Sequence, residues 1–341
     1  MLSAQTIVRL LHIFMDYRRR AEVVQMPPIR LWVETSSICN LRCPMCPNQR
    51  MPAAQKGLMD LELFNKIVSE ARGFVRDMYL HHRGEPLLNP ALFEMIHAAK
   101  QAGISTRFHT NGTLLTAQKA EQLVAAEPDL VSFSIDGFEK GAYERIRVGA
   151  NFEQVIENVV RLARLRDAQR LSRPYIVVER IKFRNPDMAE NKQAVADLTR
   201  QFLEAGVNEV IEKQEYTWAE ETAPEPGGQP RYTVCTFPWY AMVICADGTV
   251  TPCPQDFWAK MNMGNVRTAG LLEIWNGAAY QKLRRDFRTN IQALPLCRKC
   301  DRLQRKTVGG VPWQYLITFL VDQFVGYHRR WRRLVGTAER N

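Results

Sequence analysis

The chain has 341 residues, 46% apolar and 24% charged, ordinary proportions for a folded chain of one large domain or two, which excludes a disordered or fibrous protein. No apolar run reaches the roughly 18 residues of a membrane span, and no secretory signal precedes the Arg18-Arg19-Arg20 run, so the compartment is read as reducing and cytoplasmic. A net charge of +10 predicts an anionic partner, whether a phosphorylated substrate, a membrane surface or nucleic acid.

In chain order, residues 1–29 hold a basic amphipathic helix with Ile7, Leu10, Leu11, Phe14 and Met15 on one side. A strand at 30–34 runs into a loop with Cys39, Cys43 and Cys46. Helix and strand patterns then alternate: 61–71 and 77–81, 91–102 and 105–109, 117–126 and 130–135, 152–168 and 175–181, 190–205 and 209–213. This alternation predicts a parallel sheet with helical crossovers. Six units over 30–219 suit a partial (β/α)6 TIM-like barrel, since a closed eightfold barrel takes about 250 residues. The Pro-, Gly- and Glu-rich stretch 220–230 reads as a linker. Residues 231–308 carry short strands, turns and five cysteines, the pattern of a small second domain. Residues 309–341 read as a basic amphipathic C-terminal helix, with Trp313, Leu316, Ile317, Leu320, Val321, Phe324 and Trp331 at helical spacing beside Arg329, Arg330, Arg332 and Arg333. Such a helix docks on the body or lies on the inner face of an anionic membrane.

Clustered cysteines in a reducing compartment are more often metal ligands than disulfides. Cys39-x3-Cys43-x2-Cys46 offers three thiolates after a strand, enough for three corners of a cubane iron–sulfur cluster, with no fourth Cys or His in the loop. Structural zinc wants four ligands. Cys235, Cys253, Cys297 and Cys300 form a second set of four; spacing alone leaves a second cluster and a zinc knot equally open. Cys245, in the apolar run 241–245, reads as a core cysteine.

The CxxxCxxC loop resembles the hallmark of the radical S-adenosylmethionine (SAM) superfamily. In that family the open iron of a 4Fe-4S cluster binds the amino and carboxylate groups of SAM. The resemblance implies Met45 near the adenine. It implies SAM contacts from Gly84, Glu85 and Pro86 in His81-His82-Arg83-Gly84-Glu85-Pro86, which is similar to the family's GGEP motif with Arg83 in place of the first glycine. Asn111, at the end of the third strand, and Ser134 and Asp136, in a stretch similar to SxDG, would face the ribose or methionyl part, and Arg147 the SAM carboxylate. Cys235-x12-Gly248-x4-Cys253, Gly264-Asn265-Val266 and Leu272-Glu-Ile-Trp275 resemble SPASM and Twitch auxiliary-cluster domains, which implies a second 4Fe-4S cluster on Cys235, Cys253, Cys297 and Cys300. The implied activity is reductive cleavage of SAM to a 5′-deoxyadenosyl radical, fed by a flavodoxin- or ferredoxin-type donor, and hydrogen abstraction from a small-molecule, sugar or lipid-linked substrate. A closed auxiliary cluster would accept an electron, giving net oxidation. Glu179, Arg180, Lys182, Lys213, Glu215 and Tyr216 at late strand ends, with His81 and His82, are candidate substrate contacts. Two other readings stand beside this one. A peptide-modifying maturase is weakened by the short stretch before the first strand. A non-catalytic zinc protein is separable by metal analysis. No motif predicts nucleic-acid binding.

Overall fold

A computed structural model describes residues 4–183, 190–214, 235–298, 300, 303, 307–308 and 311–312. The predicted linker, with Glu215 and Tyr216, and the predicted C-terminal helix from residue 313 on fall outside the described residues; Val311–Pro312, at the predicted start of that helix, instead pair antiparallel with Thr307–Val308. The chain divides into two compact units: Met1–Pro27, Thr217–Tyr240 and Asn276–Asn341 form one, Pro28–Tyr216 and Ala241–Trp275 the other.

The larger unit is built on six parallel strands, β1 (Arg30–Val33), β2 (Asp77–Tyr79), β3 (Ser105–Thr110), β4 (Leu130–Asp136), β5 (Tyr175–Lys182) and β6 (Glu209–Gln214), each paired with the next. This is the partial barrel that the alternation predicts. Three further strands extend its other edge: β7 (Ala241–Ile244) runs parallel to β1, then β8 (Thr249–Thr251) and β9 (Gly264–Asn265) are antiparallel. The crossovers carry α2 (Leu61–Ala71), α3 (Leu92–Gln101), α4 (Ala117–Ala126), α5 (Lys140–Ile146), α6 (Phe152–Ala168) and α7 (Lys192–Glu204). The smaller unit contains α1 (Ala4–Arg19).

Local chemistry explains the helix starts. Asp60, Thr116, Asn151 and Asn191 each accept a hydrogen bond from a backbone N–H of the following first turn, a cap that contributes about 1 kcal/mol. Strand parity then separates core from site, because successive side chains point to opposite faces. Leu31, Val33, Met78, Leu80, Phe108, Val131, Phe133, Ile135, Ile176 and Val178 are fully buried on one face. The alternate positions Trp32, Tyr79, His81, Arg107, His109 and Ser134 are only partly buried and face the barrel interior. At its base Arg30 donates to both carboxylate oxygens of Asp77 (2.5 and 3.0 Å), and Trp32 stacks on Tyr79 at 4.5 Å. The C-terminal ends of the strands, where parallel α/β architectures place their sites, lie at the opposite end.

Candidate active site

The cysteine loop follows β1 directly. Cys39, Cys43 and Cys46 are all free thiols, Cys43 buried and the other two half-buried. Met45 between them is half-buried. Burial pushes all three thiols above their ordinary range, Cys39 to about 11. As thiolates they therefore need a cation, which bound iron would provide. Among the described residues no three His, Cys, Asp or Glu side chains converge as ligands of a single metal ion. A cubane takes one thiolate at each of separate corners, and three thiols on one loop can supply three of them.

Neighbouring strand ends hold this loop in place. The Gly84 backbone packs so closely that a Cβ there would lie 2.4 Å from the Ser36 carbonyl oxygen and 2.5 Å from that of Ile38. The Glu85 N–H donates to the Ile38 carbonyl at 2.8 Å. Asn48, two residues after the last cysteine, donates to the carbonyls of Ser37 and Arg83, both at 2.8 Å. Gly84→Ala is therefore expected to fold, yet to lose iron from this loop and about 1–3 kcal/mol of stability. Iron content and a thermal melt check both.

The other residues proposed to meet SAM converge on the same loop. The buried Glu85 carboxylate accepts from Thr110 Oγ1 (2.7 Å), Asn111 N (2.8 Å) and Leu87 N (3.0 Å). It ties the end of β3 to the segment after β2, and Pro86 opens the next turn. The Asn111 amide donates to Asn40 inside the cysteine loop at 3.0 Å. Ser134 is half-buried beside the β-bulge that ends β4, and Asp136 takes a left-handed conformation there (φ 66°). Asp136 forms a buried ion pair with Arg147; burial pushes its carboxyl up against the pull of that guanidinium. Arg147 Nη1 also lies 3.8 Å from Cys43 Sγ. Its Nε is buried with no acceptor among the described residues. A donor left unpaired beside the cysteines suits the carboxylate of SAM, because an unpaired buried donor is costly.

A second group of side chains meets just beyond the end of β2 and on the interior faces of β3, β5 and β6. The His81 and His109 rings stack at 4.3 Å, and the His109 N–H donates to His81 Nδ1 at 3.2 Å. Glu179 lies 3.6 Å from His109 Nδ1 and accepts from Lys213 Nζ at 2.6 Å. Burial pushes Glu179 up, but His109 and Lys213 outweigh it and hold the carboxyl at about 2. Burial holds His109 down at about 4, so at neutral pH the site pairs a carboxylate and an ammonium with neutral imidazoles. Of the other substrate candidates, Arg180 is engaged with Glu190 and Glu212, and Lys182 is exposed. His82 packs near Phe257.

A family model of the radical SAM superfamily matches residues 33–169, and a model of the iron–sulfur cluster-binding SPASM domain matches 235–301. The chain belongs to the radical SAM superfamily and carries a SPASM-type domain. A cofactor-modifying protein of tungsten-containing aldehyde ferredoxin oxidoreductase from Pyrococcus furiosus is 27% identical over 317 residues, 80% of this chain and 86% of its own length. A PqqA peptide cyclase from Ruegeria pomeroyi is 26% identical, covering 83% of this chain and 82% of its own. The crystal structure of BtrN in complex with AdoMet and 2-DOIA superposes with a TM-score of 0.53 at 18% identity, covering 80% of this chain and 93% of that one. That likeness shows the fold. This is therefore a radical SAM enzyme with SAM and 4Fe-4S cofactors implied by its two domains.

The auxiliary cysteines are free thiols as well. Cys235, Cys297 and Cys300 belong to the smaller unit and Cys253 to the larger. The Cys300 N–H donates to the Cys297 carbonyl at 3.0 Å, the tight turn of a C-x2-C hook. Burial pushes Cys245 far up, and it is fully enclosed in the core.

Proposed function

We propose that this enzyme oxidises a hydroxyl- or amine-bearing carbon of a small-molecule, sugar or lipid-linked substrate. Cys39, Cys43 and Cys46 would hold the SAM-binding cluster, and Cys235, Cys253, Cys297 and Cys300 an auxiliary one. When bound, the first cluster supplies the electron, received from a flavodoxin- or ferredoxin-type donor, that breaks SAM and creates the radical removing a hydrogen atom from the substrate. Arg147 would orient the SAM carboxylate, and Gly84, Pro86 and Asn111 would line its amino and ribose side.

The observation that carries the reading is the group of His81, His109, Glu179 and Lys213 on the barrel interior, in which the Glu179 carboxylate is buried between a half-buried imidazole pair and the Lys213 side chain. Net oxidation of an alcohol carbon removes one hydrogen atom, one proton and one electron. His109 would take the proton, and the Glu179 carboxylate 3.6 Å away would offset the charge of the imidazolium that forms. Glu179 is held ionised by Lys213 and orients the imidazole. The electron would pass to the auxiliary cluster. The alternative of a peptide substrate is favoured by no contact among the described residues.

The test begins with 5′-deoxyadenosine formation by the dithionite-reduced holoenzyme. It continues with mass spectrometry of that product after incubation with an extract of cells grown on deuterated glucose. Deuterium in the 5′-methyl group reports the C–H abstraction; absence of 5′-deoxyadenosine would sink the reading. His109→Gln and Glu179→Gln are expected to keep cluster content and substrate-free SAM cleavage. Oxidised product formed per 5′-deoxyadenosine should fall by about 10²-fold. Equal coupling in both variants would remove the proton-acceptor assignment.

A further inference from the structure

Helix α1 carries apolar side chains on two faces, and the described residues bury one. Leu10, Ile13 and Tyr17 are buried, and Tyr17 meets Trp239 edge-on at 5.8 Å within the same unit. On the opposite face stand Ile7, Val8, Leu11 and Met15, spaced i, i+1, i+4 and i+8. They are 37%, 52%, 55% and 42% exposed, and Val23 just beyond the helix is 60% exposed. Among the described residues ten large apolar side chains are exposed to this degree. Four of them fall on this one helix face, so the exposure there is a patch rather than scatter.

The same stripe runs on into Arg18 and Arg19, followed by Arg20, all exposed. Asp16 is the one acidic residue of α1. It is turned inward and accepts from the Gln25 N–H at 3.0 Å, which leaves the exposed face of the helix without negative charge. An apolar stripe ending in cations matches the boundary between acyl chains and anionic headgroups. A second copy of this chain, itself at +10, would bring like charges together, whereas an anionic bilayer attracts them.

We propose that α1 lies on an anionic membrane surface, with Ile7, Val8, Leu11 and Met15 in the acyl boundary and Arg18, Arg19 and Arg20 among the phosphates. The inference stands apart from the radical chemistry, because it requires neither SAM nor either cluster.

The test is co-sedimentation of the holoenzyme with vesicles of phosphatidylcholine alone and of phosphatidylcholine and phosphatidylglycerol in equal parts. Wild type should pellet with the anionic vesicles and stay largely in solution with the neutral ones. Val8→Asp/Leu11→Asp and, separately, Arg19→Glu/Arg20→Glu should each weaken that partition by about tenfold or more. All four positions are exposed, so circular dichroism and iron content should match wild type. Raised salt should weaken the wild type. The proposal is overturned if wild type ignores anionic vesicles, or if Val8→Asp/Leu11→Asp binds them as well as wild type, which would move the contact to another basic surface. It is also overturned if that variant converts a wild-type dimer to a monomer without changing vesicle binding.

Discussion

Anaerobically purified wild-type enzyme should hold about eight irons and eight labile sulfides per chain, and the Cys39/Cys43/Cys46→Ala variant about four of each, as two cubane clusters require. The variant should also lose reductive SAM cleavage completely. The fold should survive the substitutions, because the loop is fixed mainly by its backbone and by Asn48, not by the thiols: Gly84 and Glu85 press on the Ile38 carbonyl, and Asn48 bridges Ser37 and Arg83. The reciprocal Cys297→Ala/Cys300→Ala variant should fall to about four irons and keep SAM cleavage. Four irons in wild type falling to none would keep the radical chemistry and leave the second cysteine set zinc-bound or empty. A reconstituted wild type without iron–sulfur would refute the central assignment.

Much of this frame is legible in the sequence. Six strands and their crossover helices follow from hydrophobic period, and the cysteine loop is a local motif that needs no tertiary information. The helix over 140–146 is not anticipated there, since seven residues after a Gly give too short a pattern. The identity of the interior cluster depends on register. Ser134 pairs with Glu179, and Ile181 with Lys213, so parity alone decides that Glu179 and Lys213 face inward with His81 and His109 while Arg180 turns away to Glu190. Read singly, each is a charged residue after a strand, a type that is usually solvated. His109 carries no motif at all, and only its stacking on His81 marks it. Glu85 shows the converse. Its place in a GEP motif invites a cofactor role, yet its carboxylate is spent on Thr110, Asn111 and Leu87, which leaves the backbone of that segment to meet a ligand. Nor does sequence spacing convey that Ala241–Ile244 pairs with β1, because the two strands lie two hundred residues apart.

The residue that stands in place of the motif's first glycine accounts for the second large effect. Arg83 Nε and Nη2 donate to the two oxygens of Glu34 at 2.7 and 2.6 Å, and the N–H groups of Arg83 and Ala246 donate to the same carboxylate, both at 3.0 Å. Both side chains are buried, Glu34 completely. Burial pushes the Glu34 carboxyl up, and the Arg83 guanidinium more than reverses this, so its net displacement is downward. Arg83→Ala would leave that charge buried without its cation, a change that costs about 3–5 kcal/mol and lowers the melting temperature by on the order of 10 °C. The sign with pH follows. In wild type the folded carboxyl titrates below its unfolded value, so its contribution is complete above the unfolded value and is lost as pH falls through the folded one. In the variant the guanidinium is gone and only the backbone N–H groups of residue 83 and Ala246 still oppose burial, the largest of the causes, so the folded value moves up. The deficit should therefore be largest at neutral pH and shrink toward acid. Denaturant melts at two pH values measure this, and Glu34→Gln/Arg83→Met should recover most of the loss by removing both charges. Iron content then separates two roles. The Arg83 carbonyl receives Asn48 from the cysteine loop, so a variant that is less stable and also poor in iron would mean that this pair sets the cluster loop as well as the core. A single variant as stable as wild type at neutral pH would show the pair to be solvated and the account of the loop's support to be wrong.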